Sequence, residues 1–455
     1  MNAKFILCAV KLLIVALVLP LKGNTQEIEK PLENSSSILP AYSQIFKENV
    51  QIAVAEHPRT AAAVAARDKM RFEEDEARAG LYPQVYVDLT GRQRVADNFE
   101  ERFDNITQRS LRDTAANISL VGRQLLYDGG TTSSRISAAR YAFTAAHEEY
   151  SHEASSVAMA AVDSHYYVLY QRLRREIHQK NITRHREILN MVQEKFNSGR
   201  GTNQDVTLMQ SRLAIVETSA ARVNMDLEEA ISHYEEIYSF APGEVKRPDV
   251  SMDLPITENE ALQLGFQNNS LLTMASSRSL SSRENMNAAK GELFPQFSVE
   301  LSATKYDLER GNPDYDVTGR ILVNYNLYSG GASSARIAQS LKNYENVKYT
   351  QDNIMREVDR TIKVAFQNKQ SQEKQIIFLK RASEASKINR DQTREQFEAT
   401  GGSLFSLLEA EREHHSAQEQ YSGGIVEFEL AKYRLLNSMG TLLGTLNILL
   451  NREER

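Results

Sequence analysis

A single cysteine stands in the 455 residues, Cys8, and it lies inside an apolar run at the N-terminus. Removing that run as an export signal leaves no thiol, which excludes disulfides, thiolate nucleophiles and zinc–thiolate centres together. Long hydrophobic runs are missing as well. Beyond residue 25 no stretch reaches the roughly 18 apolar residues of a spanning helix, so no further membrane helix is expected. Excess basic charge is also absent: 54 Lys and Arg against 60 Asp and Glu give a net charge of −6. No basic stripe of the kind that binds nucleic acid is present. Proline and glycine are scarce where they would break helices, and neither occurs from Thr131 to Asn197. That segment predicts an uninterrupted helix about 100 Å long at 1.5 Å per residue.

The N-terminal run is Phe5 to Leu19, preceded by Lys4 and interrupted by Lys11. It is shorter than the roughly 20 residues of a membrane anchor, so residues 1–25 read as a secretory signal cleaved around Gly23 to Gln26. Residues 26–42, with Pro31, Ser35 to Ser37 and Pro40, read as a flexible leader. The whole chain, at 41 % hydrophobic and 25 % charged, has the composition of a folded protein.

Two stretches in it are near copies, Leu81-Tyr-Pro-Gln-Val-Tyr-Val-Asp-Leu89 and Leu293-Phe-Pro-Gln-Phe-Ser-Val-Glu-Leu301. In each, a helical pattern stops at a proline (Pro83, Pro295) and an alternation of period two begins. Phe297, Val299, Leu301 and Ala303 are apolar against Gln296, Ser298, Glu300 and Ser302. Such a pattern is a strand with one apolar and one polar face.

The first hairpin spans 83–127, with strands to about Val95 and from about Thr114, joined by the charged stretch Ala96 to Asp113. Asp128-Gly129-Gly130 ends it, and Thr131 to Ser134 offer helix N-caps. The long helix carries Val162, Tyr166, Leu169, Leu173 and Ile177 as a coiled-coil-like seam. It turns at 198–203, where Thr202 and Asp205 form a capping box for a helix returning to near Phe240. Pro242, Pro248 and Pro255 mark a connector over 241–256.

A second unit, 257–445, replays the first, 43–240, with a hairpin at 295–328 and a turn at 399–403, before a tail over 446–455. Tyr127-Asp-Gly-Gly130 and Tyr328-Ser-Gly-Gly331 are 201 residues apart, as are Phe196 and Phe397, whereas the strand starts Leu81 and Leu293 are 212 apart. The surplus of 11 residues (212 − 201) therefore falls in the first hairpin's loop.

Two hairpins make four strands of membrane-crossing length, with Tyr82, Tyr127, Phe294, Tyr325 and Tyr328 at the ends where interfacial aromatics sit. Membrane barrels start at eight strands, and an open sheet in lipid leaves unpaired backbone groups. Transmembrane strands here must share a barrel between chains. A soluble periplasmic coiled-coil scaffold would account for the helices but not for two amphipathic hairpins.

The duplicated helix–strand junctions, the Gly-Gly strand–helix junctions and the two Phe-…-Gly turns together resemble the TolC family of outer-membrane channel proteins, from about Tyr42 to Leu446. The resemblance implies an α+β membrane protein. Three chains would form a 12-stranded outer-membrane barrel, continued by a periplasmic tunnel of long helices. The implied partners are two further copies, outer-membrane lipid, a periplasmic adaptor and an inner-membrane ABC or proton-driven transporter. No cofactor, metal or catalytic role is implied. The resemblance assigns adaptor docking to Gly199, Arg200, Gly201, Thr202, Thr400, Gly401, Gly402 and Ser403. It assigns the channel entrance and its gating to Asp205, Phe397 and Glu409, and the helix–strand junctions to Pro83, Gly129, Gly130, Pro295, Gly330 and Gly331. Phe397 and Gly402 stand where a locking tyrosine and arginine can occur, and Ser406 where a ring carboxylate can occur. Arg200 is the residue expected to compensate. The expected function is an exit duct, with type I protein secretion as the first cargo and small-molecule efflux as the alternative.

Other motifs carry little. The Gly-Gly turns lack the lysine of a phosphate-binding loop. His147 and His152 are five apart and do not share a helix face, and His414 and His415 are adjacent and point apart.

Overall fold

The computed structural model describes residues 39–96, 98, 113–308 and 313–450. The expected signal peptide, most of the leader, most of the charged loop of the first hairpin and the last five residues lie outside the described residues. Contrary to the expected leader over 26–42, α1 (Leu39–Glu56) already begins at Leu39. Its Pro40 stands in the first turn, where a missing N–H costs nothing.

The chain breaks at His57, whose Nδ1 accepts from Arg59 N at 3.2 Å, and α2 (Pro58–Ala79) starts on Pro58. Then come β1 (Gln84–Gln93), β2 (Thr114–Tyr127), α3 (Thr131–Asn197) and α4 (Asn203–Tyr238). After an irregular connector, α5 (Glu258–Asn268), α6 (Ser270–Gly291), β3 (Gln296–Lys305), β4 (Tyr315–Asn324), α7 (Ala332–Thr400) and α8 (Leu404–Met439) repeat that order, and the short α9 (Leu442–Thr445) follows. The strand bounds leave 20 residues (94–113) in the first hairpin loop and 9 (306–314) in the second, so the 11-residue surplus sits in that loop.

α3 is the hub, packed against α2, α4, α6 and α8. The seam read from the sequence is on its inner side, with Val162 and Tyr166 fully buried and Ile177 nearly so. α7, its counterpart, packs along its length against α5, α6 and α8 and reaches α3 and α4 near the tips. It leaves Tyr349, Val364 and Phe378 more than half exposed.

The main core lies at the waist. There Phe46, Val50, Tyr166, Tyr433, Leu435, Leu436 and Met439 are buried together. The connector wraps this waist through its backbone: Arg172 donates to the carbonyls of Pro242 and Gly243 at 3.0 and 2.6 Å, and Lys246 N donates to the Tyr42 hydroxyl at 2.8 Å. Ser43 Oγ donates to Asp249 O at 2.9 Å and lies 2.8 Å from Asp249 N. These partners satisfy polar backbone that a proline-rich segment cannot satisfy within itself.

Candidate conduction path and its two ends

All four strands pair antiparallel in one sheet, in the order β1-β2-β3-β4. The sheet is inside out by the standard of a water-soluble protein. Apolar side chains are exposed, Leu89 at 72 % and Ile321 at 75 %, whereas Glu300 is only 3 % exposed. The β2–β3 register puts Gly122 opposite Leu301 and Leu120 opposite Ala303 on the apolar face, and Arg123 opposite Glu300 and Ser119 opposite Thr304 on the polar one. Glu300 accepts from Arg123 Nη2 at 2.6 Å and from Arg320, so one carboxylate bridges β2 and β4 across β3. An apolar exterior backed by a paired polar interior is the arrangement of a lipid-embedded barrel wall with a wet lumen.

The outer strands β1 and β4 each have one unpaired edge. β4 stops at Asn324 instead of running to Tyr328 as expected. β2 continues to Tyr127 because β3 lies beside it, with a bulge between Leu125 and Tyr127. The corresponding side of β4 has no neighbour within the chain.

The junctions carry the turn from helix to strand. α2 ends in tight turns, Leu81 N to Arg78 O at 2.9 Å and Tyr82 N to Ala79 O at 3.0 Å, and Pro83 then starts the extended segment. Leu293 and Phe294 repeat this before Pro295, at 3.1 and 3.0 Å. On the return, Gly129, Gly130, Gly330 and Gly331 all have positive φ. The cap of α3 does not come from the Thr/Ser run expected to supply it. Gly130 is the N-cap, and its left-handed turn aims the Asp128 carboxylate at Thr132 N (2.7 Å) and Gly130 N (3.1 Å). Ser329 does the same work in the second half, its Oγ accepting from Ser333 N at 3.2 Å.

At the far end each long helix turns through glycine. Gly199 (φ 71°) and Gly401 (φ 72°) are left-handed. Arg200 N closes the first turn on Lys195 O at 2.8 Å, and a Cβ on Gly201 would lie 3.0 Å from Phe196 N. The expected capping box is formed: Asp205 N donates to Thr202 Oγ at 3.2 Å, and Asp205 Oδ2 accepts from Thr202 N at 3.3 Å. Ser403 caps α8 through Ser406 N at 3.4 Å, and Gly402 packs on the Phe397 backbone. Thr400 is the last residue of α7.

Phe397 is 5 % exposed, in a small core with Val192, Val206, Met209 and Leu407 beneath the first tip. Lys195 lies over its ring, 3.6 Å from the centroid, and donates to Phe397 O at 2.8 Å. This tie joins the two tips. Arg200, the residue expected to compensate, keeps its Nε in its own turn on Ser198 Oγ at 3.2 Å, and Lys195, which no sequence signal singled out, makes the contact with Phe397. Glu409 is exposed and is held by Arg412 one turn on (Nε to Oε2, 3.1 Å), which keeps its carboxyl below the usual range.

Residues 49–231 and 261–441 match the model of the family described as outer membrane efflux protein. The chain belongs to that family. Among curated relatives, the outer membrane efflux protein BepC of Brucella suis is 21 % identical over 334 residues, 72 % of this chain and 73 % of that one. The Campylobacter jejuni CmeC outer membrane channel superposes with a TM-score of 0.76 at 13 % identity, covering 94 % of both chains. The open-state MtrE outer membrane channel of Neisseria gonorrhoeae gives 0.75 at 14 % identity, over 87 % of this chain and 89 % of that one. At such identities the likeness is one of fold. The chain is thus an outer membrane efflux protein by family, with the fold of the solved outer-membrane channels. A soluble scaffold is thereby set aside. Among the described residues no helix is long and apolar enough to cross a membrane.

Proposed function

We propose that three copies of this chain close one 12-stranded barrel and act as the passive exit duct of a tripartite export machine. The inside-out sheet with two open edges carries this reading. Four strands cannot close, and each unpaired backbone group left in lipid costs several kcal/mol. The glycine tips, Gly199 to Thr202 and Thr400 to Ser403, are the surface offered to a periplasmic adaptor. An inner-membrane ABC or proton-driven transporter supplies the energy. No chemistry is asked of this chain, and lipid, not nucleic acid, is its other partner.

Two cargoes fit. The resemblance to the TolC family carries type I protein secretion as the first reading. The family description and the efflux relative favour small molecules. A deletion strain decides between them: lost secretion of a large exported protein with unchanged drug sensitivity supports the first, and the reverse supports the second. At the tips, the contact of Lys195 with Phe397 is the tie that keeps the entrance narrow. Single-channel recording should show larger conductance for Lys195→Ala and an unchanged one for Arg200→Ala; the opposite pattern returns the lock to Arg200.

A further inference from the structure

About 17–29 Å above the tips, at 1.5 Å per helical residue, α3 and α8 meet across a polar cluster that conduction does not use. His178 projects from α3, and His415 and Glu419 from α8. Among the described residues these are the one group of three histidines or carboxylates whose ligand atoms, one from each, all lie within 4.8 Å of one another. His178 Nε2 is 3.1 Å from Glu419 Oε1, and the two imidazoles meet edge to face at 4.6 Å between centroids.

His415 is poorly served for a largely buried imidazole. Its Nε2 has no hydrogen-bond partner, and its Nδ1 is 3.8 Å from Glu419 Oε2, too far for a hydrogen bond. The second nitrogen of His178 is likewise buried without a partner. A buried ring nitrogen without a partner costs stability unless something else satisfies it.

The surroundings fit a cation. Arg174 Nε holds Glu419 Oε1 at 3.1 Å, while Arg174 Nη1 is anchored by Asp226 (2.9 Å) and Gln171 (2.9 Å), which fixes the carboxylate and leaves Oε2 facing His415. Outer partners of this kind orient ligands in metal sites. Asp226 and Glu419 against Arg174 leave this inner trio one negative charge, with Arg184, Arg212 and Arg412 further out. A cleft lined by His185, Arg212, Leu408 and Arg412 reaches both histidines.

We propose that His178, His415 and Glu419 bind one divalent transition-metal ion of the zinc type and thereby tie the first helical hairpin of a chain to the second. The ligand atoms, within 4.8 Å of one another, need to draw in to reach a tetrahedral site with bonds of about 2.0–2.2 Å.

The test uses untagged, chelator-treated protein in detergent, titrated with Co2+ and followed by visible absorption, with Zn2+ as competitor. One ion per chain with a tetrahedral Co2+ spectrum is expected, and His178→Gln and His415→Gln should each weaken binding at least about tenfold, as loss of metal-site partners does. His233→Gln, on an exposed histidine, should change nothing. For variants that fail to fold, zinc-loaded wild-type protein examined by X-ray absorption should show two imidazoles and a carboxylate oxygen. No saturable binding, binding that survives the double variant, or a spectrum without two imidazoles overturns the proposal. None of these readouts depends on cargo or conductance, so the site and the duct stand or fall separately.

Discussion

Gly129 and Gly330 occupy the same place in the two halves, and both have positive φ, 69° and 62°. Their surroundings differ. A Cβ on Gly129 would sit 2.5 Å from Gly291 O and 2.6 Å from Phe294 Cβ, whereas one on Gly330 meets nothing within 4 Å. The reason is the duplication. In the proposed trimer, the duplication sets Gly330 against the end of α2 in the next chain as it sets Gly129 against the end of α6 in its own. Gly129→Ala should therefore destabilise the folded chain by about 3 kcal/mol or more, left-handed strain plus backbone overlap. Gly330→Ala should cost the chain only about 1–2 kcal/mol of strain but lower the temperature at which the trimer dissociates on gels. A Gly330→Ala trimer as heat-resistant as wild type would remove the counterpart joint.

At the scale of elements, α3 carries a histidine through the driest part of the waist. His165 is 3 % exposed, its ring 4.7 Å from Phe46 and its Nε2 3.0 Å from Lys246 O. Burial pushes its pKa down from 6.5 to about 4, with Arg172 acting in the same direction. The unfolded chain thus takes up this proton first as pH falls. The stability is fully present above pH 6.5 and is lost progressively down to about 4, on the order of 3 kcal/mol for this one group. Urea unfolding followed by circular dichroism should show a shallower acid loss for His165→Gln, whose amide can still donate to Lys246 O. Equal slopes would mean that His165 titrates normally.

For the whole molecule, the in-chain β2–β3 pairing predicts the pairing between chains. Moving β2 forward by 201 residues and β3 back by 212 turns Arg123↔Glu300 into Asn324 against Asp88 of the next chain. The same step sets Val323 beside Leu89 on the apolar face, so the derived register keeps like faces together. Asn324→Cys with Asp88→Cys should oxidise to covalent dimers and trimers, while Asn324→Cys with Leu89→Cys, one residue off and on the opposite face, should not. Cys8 is the single native cysteine, so background thiols are few. Cross-links in the offset pair alone would shift the register. The same operation gives α7 the neighbours it lacks, since its counterpart α3 is covered by helices of both halves.

Much of this protein was legible in the chain itself, because the signals are local. Proline at 83 and 295 stops a helix whatever surrounds it, and period-two alternation sets two faces before any strand has a partner. Glycine at 199 and 401 turns a helix back, and Thr202 with Asp205 caps the next one. The offsets of 201 and 212 even located the surplus loop. What the sequence could not contain is which residues far apart in it meet. Glu300 finds Arg123 only through the β2–β3 register, Lys195 finds Phe397 only because the second hairpin packs beneath the first tip, and His178 finds His415 only where α3 crosses α8. Each of these depends on register and helix crossing, fixed by the sum of many weak contacts along elements up to about 100 Å long.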